Sequence, residues 1–423
     1  MSEEDANQVV QEPDPVGGRA ARSSPASPSR RYPYLGHVEH EGGRAVAKAP
    51  TRRRFLRITA AGLGLTAWKA LGLGQIEGLA AAVPDRLTRA REILKTMILE
   101  HARAKDNPWL MIHGIRAMGK GFSVGGGSAV DYLCSYYLRE KSVNGKAYLY
   151  MPIDDEGHTN AFLSEAALDA GVTPDHPFRW KGRRYTIGDV VAGAKAMFAF
   201  DPASLDRNDL AWSLIAFAHT TAPEHDRWVN AYGKPIRFSE VVEFGMATLE
   251  EATKLLRAAM RRGTTTPETD AIHDFACAGT HLIYGLATCL RFGYRERALR
   301  ERMKLQFDLL VWRLEADSRL IDRYYQEVAR QYPEDLTRIY RWDAKLKFLG
   351  HSFEVINGAR LFRLFHRTPA QEEAIRRAQG ELVDVIEAIG REGVGKPVGD
   401  RKLFNLVLGD ACHAYHGLTI IPG

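Results

Sequence analysis

Four short stretches of this 423-residue chain set metal-ligating or proton-transferring side chains close together. In "CAGTH", Cys277 and His281 stand at i and i+4. In "GHSFE", His351 and Glu354 stand at i and i+3. In "CHAYH", Cys412 and His416 are four apart, and His413 and His416 three apart. Residues three or four apart share one face of an α-helix. "DDEGH" adds Asp154, Asp155, Glu156 and His158, in a loop entering a helix. Two such pairs meeting in space supply four N, S or O ligands, a set that suits zinc and also copper. Cys277, His281, His413 and His416 are therefore candidate metal ligands. The same groups suit proton transfer, with Glu354 or Glu156 as the acid and His158, His281 or His413 as its partner. Against both stands a plainer expectation. A lone histidine on an apolar helix is usually a satisfied core residue, and buried cysteine is common in cores. Yet an unpaired buried charge or imidazole costs several kcal/mol, so four clusters on apolar segments ask for a shared reason.

Two kinds of helix must position these groups. Long amphipathic segments of period 3.6 span 85–105, 239–262, 296–331 and 369–391. Between them lie shorter segments that are apolar on most sides: "WLMIHGIRAMG", "LAWSLIAFAHTTA", "DFACAGTHLIYGLATCL", "LKFLGHSFEVI" and "FNLVLGDACHAYHGL". The first kind covers a surface; the second is buried. One histidine recurs along the inner series: His113, His158, His219, His281, His351 and His413, at gaps of 45, 61, 62, 70 and 62 residues. Two helices and their loops fill about that length. The expectation is an all-α fold, an (α/α)6 toroid of helical hairpins over 83–423, with an open solenoid as its rival. A small β insertion is expected near 143–190, where "VNGK" and "WKGR" carry hairpin turns.

The N-terminus reads as an address. Residues 1–50 are rich in Pro, Ser, Gly, Arg and Glu without an apolar period, the composition of a disordered leader. Over 51–82, "TRRRFLRITAAGLGLTAW" resembles a twin-arginine signal: Thr51, Arg52–Arg53, then Phe55, Leu56 and Arg57. An 11-residue mild apolar run follows from Ile58 to Trp68, with small residues for cleavage near Ala80–Ala82. The run is too short to span a bilayer, which needs about 20 apolar residues. The resemblance implies export by the twin-arginine translocase to the periplasm or beyond, with no stable membrane anchor after cleavage. That route carries proteins already folded, often around a cofactor.

Other chemistries find little support. From residue 83 onward 47 Lys/Arg stand against 44 Asp/Glu, too balanced for a nucleic-acid partner. The four cysteines form no C-x-x-C pair. "GREGVGKP" (390–397) puts Pro397 where a phosphate loop needs Ser or Thr, and no G-x-S-x-G elbow exists. "SVGGGSAV" (123–130) reads as a helix–helix turn opening at Ser128. Cys277 and Cys289 cannot pair if they share one helix, because twelve residues span about 18 Å.

The alternating helices with "CAGTHLIYGL", "LGHSFE" and "CHAYHGL" resemble exported bacterial proteins with a terpenoid-cyclase-like α/α toroid, over roughly 105–420. Among characterised toroids, lanthionine cyclases hold zinc with a Cys and a Cys-His pair, echoed by Cys277 and Cys412–His413, though these lie 135 residues apart. Glycan hydrolases and lyases of the (α/α)6 type place acids, His and Tyr in a central cleft. Asp155, Glu156, His281, Glu354, His413 and Tyr415 would suit one, with Trp212, Tyr284 and Tyr415 stacking on sugar rings. The leading expectation is thus an exported enzyme acting on a carbohydrate or cell-envelope glycan. Its rivals are a zinc or copper metalloprotein and a non-catalytic scaffold for a small-molecule ligand.

Overall fold

Apolar segments with no wet face must be surrounded by other elements, and amphipathic ones must lie outside them. The computed structural model describes residues 74–264, 269–331, 333–393 and 401–420. The twin-arginine motif and the leader lie outside these residues, as do residues 394–397 of the phosphate-loop lookalike. The fold is mostly helical with small antiparallel strand pairs. Its α-helices are α1 (Gly74–His101), α2 (Pro108–Met118), α3 (Ala129–Tyr136), α4 (Ile153–Glu156), α5 (Ile187–Met197), α6 (Leu210–Ala218), α7 (Phe238–Ala252), α8 (Lys254–Arg261), α9 (Thr280–Arg291), α10 (Glu296–Val328), α11 (Glu334–Leu361), α12 (Pro369–Glu392) and α13 (Arg401–Thr419). A π-helix, Phe162–Leu168, follows α4. The small residues near Ala80–Ala82 fall within α1.

The two kinds of segment separate as their composition demands. Every residue of α6 is buried, as is every residue of α9 before Arg291. By contrast α12 buries one stripe, Ile375, Ala378, Leu382, Val383, Val385, Ile386 and Ile389. Each buried helix has buried neighbours: α11 packs on α13, α13 on α2, α2 on the π-helix, the π-helix on α6, α6 on α9, and α9 on α11. Behind them α12 lies against α11 and α1, α1 against α13, α10 against α9, α11 and α12, α7 against α6 and α9, and α5 against α6 and the π-helix. No helix among the described residues is long and apolar enough to cross a membrane.

The expected β insertion is present. β3 (Arg139–Val143) pairs with β4 (Lys146–Tyr150), and β5 (Pro177–Trp180) with β6 (Arg183–Thr186), both antiparallel. Their turns are Asn144–Gly145 and Lys181–Gly182, all four residues at positive φ, which keeps a two-residue turn in step with strand twist. Two further pairs were not expected: β1 (Ser123–Val124) with β2 (Gly127–Ser128), and β7 (Arg227–Val229) with β8 (Pro235–Arg237). "SVGGGSAV" is thus a hairpin, and Ser128 does open a helix, its Oγ accepting from Asp131 N at 3.3 Å.

Two helices differ from their periodicity. The stretch 239–262 breaks at Thr253, and α8 starts afresh with Leu255 N and Leu256 N both donating to Asp270 Oδ2 (2.7 and 3.1 Å). The segment around "DFACAGTH" is not one helix either. Residues 271–279 form two 3-10 turns, and Cys277, Ala278 and Gly279 are left-handed (φ 50°, 53° and 75°), so α9 begins only at Thr280.

Candidate metal centre

The crossing of α11 and α13 in the buried layer is built on glycine. A Cβ on Gly417 of α13 would lie 2.8 Å from Glu354 N and 2.9 Å from Gly350 O, and one on Gly350 would lie 3.0 Å from Ala414. Without side chains there, α11 and α13 approach backbone to backbone. Glu354 then reaches two turns of α13 at once. His413 Nδ1 sits 2.8 Å from its Oε2, and His416 Nδ1 2.6 Å from its Oε1. From α2, Arg116 Nε donates to Oε1 at 3.1 Å. Arg116 also pairs with Asp169, which accepts from Tyr284 OH at 2.8 Å, and its guanidinium lies 4.7 Å from the Tyr284 ring centre. Burial pulls the Glu354 carboxyl upward, but His413, Arg116 and the two histidine hydrogen bonds outweigh it and hold it well below the usual range. Glu354 is ionised and acceptor-only.

That arrangement fixes the histidines. An ionised carboxylate accepts, so His413 carries a proton on Nδ1, the nitrogen that faces Glu354. His113 Nδ1 donates to Trp109 O at 2.8 Å, and His351 Nδ1 to Lys347 O at 2.7 Å, each one turn back along its own helix. Three imidazoles on three helices therefore have Nδ1 committed, and His351 Nε2 is buried without a hydrogen-bond partner among the described residues. Burial drives His113 down to about 4, with His413 adding to it; burial and neighbouring histidines push His281 and His351 well below the ordinary range. These three rings are neutral at pH 7. A neutral imidazole whose far nitrogen is tied to a carbonyl or carboxylate is the usual form of a metal-bound histidine.

Two backbone irregularities bring in the anionic donors. The π-helix places Glu165 in the buried layer. π-Helical turns are rare and are frequently found at functional sites. Trp212 Nε1 donates to Glu165 Oε1 at 2.8 Å, and His281 Nδ1 lies 3.9 Å from the same oxygen. Burial raises the Glu165 carboxyl, but His413, His113, Arg116 and the Trp212 N–H bring it below its ordinary value. The second irregularity is the left-handed run at Cys277. Non-glycine residues held there cost on the order of 1–3 kcal/mol each and persist where the surroundings enforce them. Burial pushes the Cys277 thiol up, so it is a thiol unless a cation takes the place of its proton.

The donors fall into two sets. His113, Glu165 and His413 form one; Cys277, His281 and His351 form the other, and within each set the donor atoms lie within 4.8 Å of one another. Tetrahedral zinc at about 2.0–2.1 Å from nitrogen sets donors about 3.3 Å apart, within that limit. These His/Cys/Glu groupings fit a metal by donor type, tautomer and burial.

The residues singled out by spacing scatter around this centre. Cys277, His281 and His413 belong to it, although Cys277 precedes the helix of His281 instead of sharing its face. His416 lies on Glu354, outside both sets, and Cys412 is buried in the core. Glu156 accepts from Asn160 N and Phe162 N, both at 2.9 Å, and so anchors the start of the π-helix. It also lines a cavity of about 580 Å³ with Lys141, Tyr150, Phe162 and Val190. His158 is one-third exposed, held by Asp209 Oδ1 at 3.0 Å, and lies flat on Trp212 (3.8 Å between ring centres), whose other neighbour is His281 at 4.8 Å. His273 is elsewhere, 3.2 Å from Asp317. Trp212 and Tyr284 are buried and hydrogen-bonded, not displayed as sugar platforms. Sequence reasoning missed Glu165 and Arg116, single charges inside the apolar runs "FLSEAAL" and "WLMIHGIRAM", and noted His113 and His351 without making them ligands. No family model, curated protein or solved structure matches this chain.

Proposed function

We propose that the protein is an exported metalloenzyme in which His113, Glu165 and His413 hold a divalent metal, zinc by donor type, for a hydrolytic reaction. The observation that carries this reading is the pair of histidines from α2 and α13, each with Nδ1 committed, whose remaining nitrogens and a buried ionised Glu165 come together. Two histidines and a glutamate leave the fourth zinc position open, the hallmark of catalytic rather than structural sites. A metal bound there would polarise a substrate oxygen and lower the pKa of bound water. The chain's own groups have defined parts. Glu354 and the Trp109 carbonyl orient the two imidazoles, Trp212 orients Glu165, and Arg116, itself paired with Asp169, helps keep Glu354 charged. His158, held by Asp209, stacks on Trp212 and so steadies the indole that donates to Glu165.

The glycan acid–base scheme has weaker support. A glycosidase needs one carboxyl that can give up a proton. Glu354 is held ionised by three donors; burial pushes the Glu156 carboxyl well above its ordinary range, but both its oxygens are tied to backbone N–H groups at the start of the π-helix. The (α/α)6 toroid remains our reading of the fold: the order α2, π-helix, α6, α9, α11, α13 and back to α2 in neighbour packing supports a closed inner layer. Export rests on the twin-arginine motif at Arg52–Arg53; folding around the metal before transport is consistent with ligands drawn from residues 113 to 413.

The test is metal content and metal dependence. The mature protein, exported through its own signal and purified without chelators, should carry zinc or a comparable ion. His113→Ala and His413→Ala should each lose the ion bound at this set, and esterase or phosphoesterase activity on chromogenic substrates should disappear with chelator and return with zinc. Metal-free protein that rebinds none with measurable affinity refutes the proposal.

A further inference from the structure

We infer that a second metal ion binds beside the first, held by Cys277, His281 and His351, with Glu165 between the two ions. This rests on the reading of His113, Glu165 and His413 as a metal set, and extends it to a two-metal centre.

Three observations converge. The three donors come from separate places, a left-handed turn, α9 and α11, yet their atoms lie within 4.8 Å of one another. His351 Nε2 is an orphan: buried, with its other nitrogen spent on Lys347 O. An unpaired polar atom in a core is costly, and a cation would satisfy it. Finally, the two sets share a wall. The rings of His351 and His413, one from each set, stack at 3.9 Å between centres, and His281 and His413 lie 5.2 Å apart.

Glu165 is the natural bridge. It belongs to the first set, and its Oε1 lies 3.9 Å from His281 Nδ1 in the second. One carboxylate with two oxygens can serve two ions about 3.5–4 Å apart, the separation of two-metal hydrolases. Charge also balances better with two ions than the donor count suggests. Two divalent ions would bring four positive charges, against three negative ones from Glu165, Glu354 and the Cys277 thiolate; Lys347, which also faces Cys277, has Asp410 as its counter-ion. Arg116 does not enter this sum because Asp169 pairs with it. Binding at the second set replaces the thiol proton with the metal: the S–H bond breaks, an S–metal bond forms, and the proton leaves to solvent. A thiolate with two imidazoles is a soft set, selective for zinc or copper over magnesium or calcium.

The experiment uses the full mature protein, stripped with chelator and titrated with cobalt(II), then with zinc. We expect two equivalents per chain and a thiolate-to-cobalt charge-transfer band in the near ultraviolet. Cys277→Ser should abolish the band and one equivalent while keeping the other. His113→Ala should keep the band. Cys277 is the one partly exposed thiol of four, so zinc should also slow its alkylation by at least about tenfold. Cys277→Asn, which tolerates the left-handed backbone, controls for folding by circular dichroism. One equivalent, without a thiolate band, indifferent to Cys277→Ser and lost in His113→Ala, overturns the second ion and leaves the proposed function standing. A single equivalent lost on Cys277→Ser and unaffected by His113→Ala overturns the two-metal centre and the hydrolytic set together, as does no binding at all.

Discussion

Glu354→Gln is the sharpest single perturbation because the residue lies 2% exposed beneath three donors. The substitution keeps shape and removes charge. One amide oxygen can still accept, but the amide nitrogen now faces Arg116 Nε and His416 Nδ1, or His413 Nδ1, donor against donor. Arg116 keeps Asp169 as a partner, so the loss is less than stranding the cation outright. Breaking one side of a buried ion pair costs about 3–5 kcal/mol, and the surviving pair puts this case at the lower end, about 3 kcal/mol. A fold of this size unfolds with roughly 0.7 kcal/mol/K of entropy, so the melting temperature should fall by about 4–5 °C. The sign with pH follows from the depressed folded pKa. The contribution is present above the ordinary glutamate range and lost as pH falls through the depressed folded value, so wild type and variant should converge only once pH drops well below that ordinary range. Metal affinity should fall by about 10- to 100-fold, the usual cost of removing a carboxylate behind a metal-bound histidine. Calorimetry and a competitive zinc-indicator titration check both. A melting temperature within 1 °C of wild type, or affinity within about threefold, would mean that Glu354 neither holds the helices together nor orients His413.

Three further outcomes follow from the geometry. Gly417→Ala pushes a methyl into Glu354 N and Gly350 O, both backbone atoms, so α11 and α13 must separate; a loss of about 2–3 kcal/mol in urea unfolding is expected, with weaker metal binding, and a neutral result would contradict the close crossing. Ala278→Gly relieves a left-handed alanine (φ 53°) at a position that donates nothing to either metal set, and should stabilise the metal-free protein by about 0.5–1 kcal/mol in thermal melts. His219 is neutral when folded, its pKa driven down to about 4 by burial and by Arg291 and Arg116, against Asp169 at 3.5 Å. A depressed histidine pKa means stability is kept above pH 6.5 and lost below it; His219→Gln should remove about 2–3 kcal/mol of the difference between unfolding at pH 7 and at pH 4.5.

How much of this was legible depended on whether the backbone was regular. Where it was, spacing sufficed. His413 and His416 do share a face, and the residue they share it for, Glu354, was visible three positions after His351. The helical layers, the two hairpins with N-G and K-G turns and the burial of "LAWSLIAFA" came from composition and period alone. Where the backbone departs from regularity, spacing misled. Cys277 and His281 looked like an i, i+4 pair, yet a left-handed run separates them, and they approach each other for a different reason. Glu165 sits in a π-helix, whose wider turn no 3.6-residue pattern announces. Its signal was of another kind: one acid in an apolar run that offers it no local partner. Arg116 carried the same signal. A single charge inside a segment otherwise fit only for burial implies a partner brought from elsewhere in the chain, and here Arg116 finds Glu354 across 238 residues while Glu165 finds Trp212 across 47. Isolated buried charges were thus better guides to this centre than paired residues at helical spacing, because burial leaves a charge no alternative to a partner, whereas spacing only permits one.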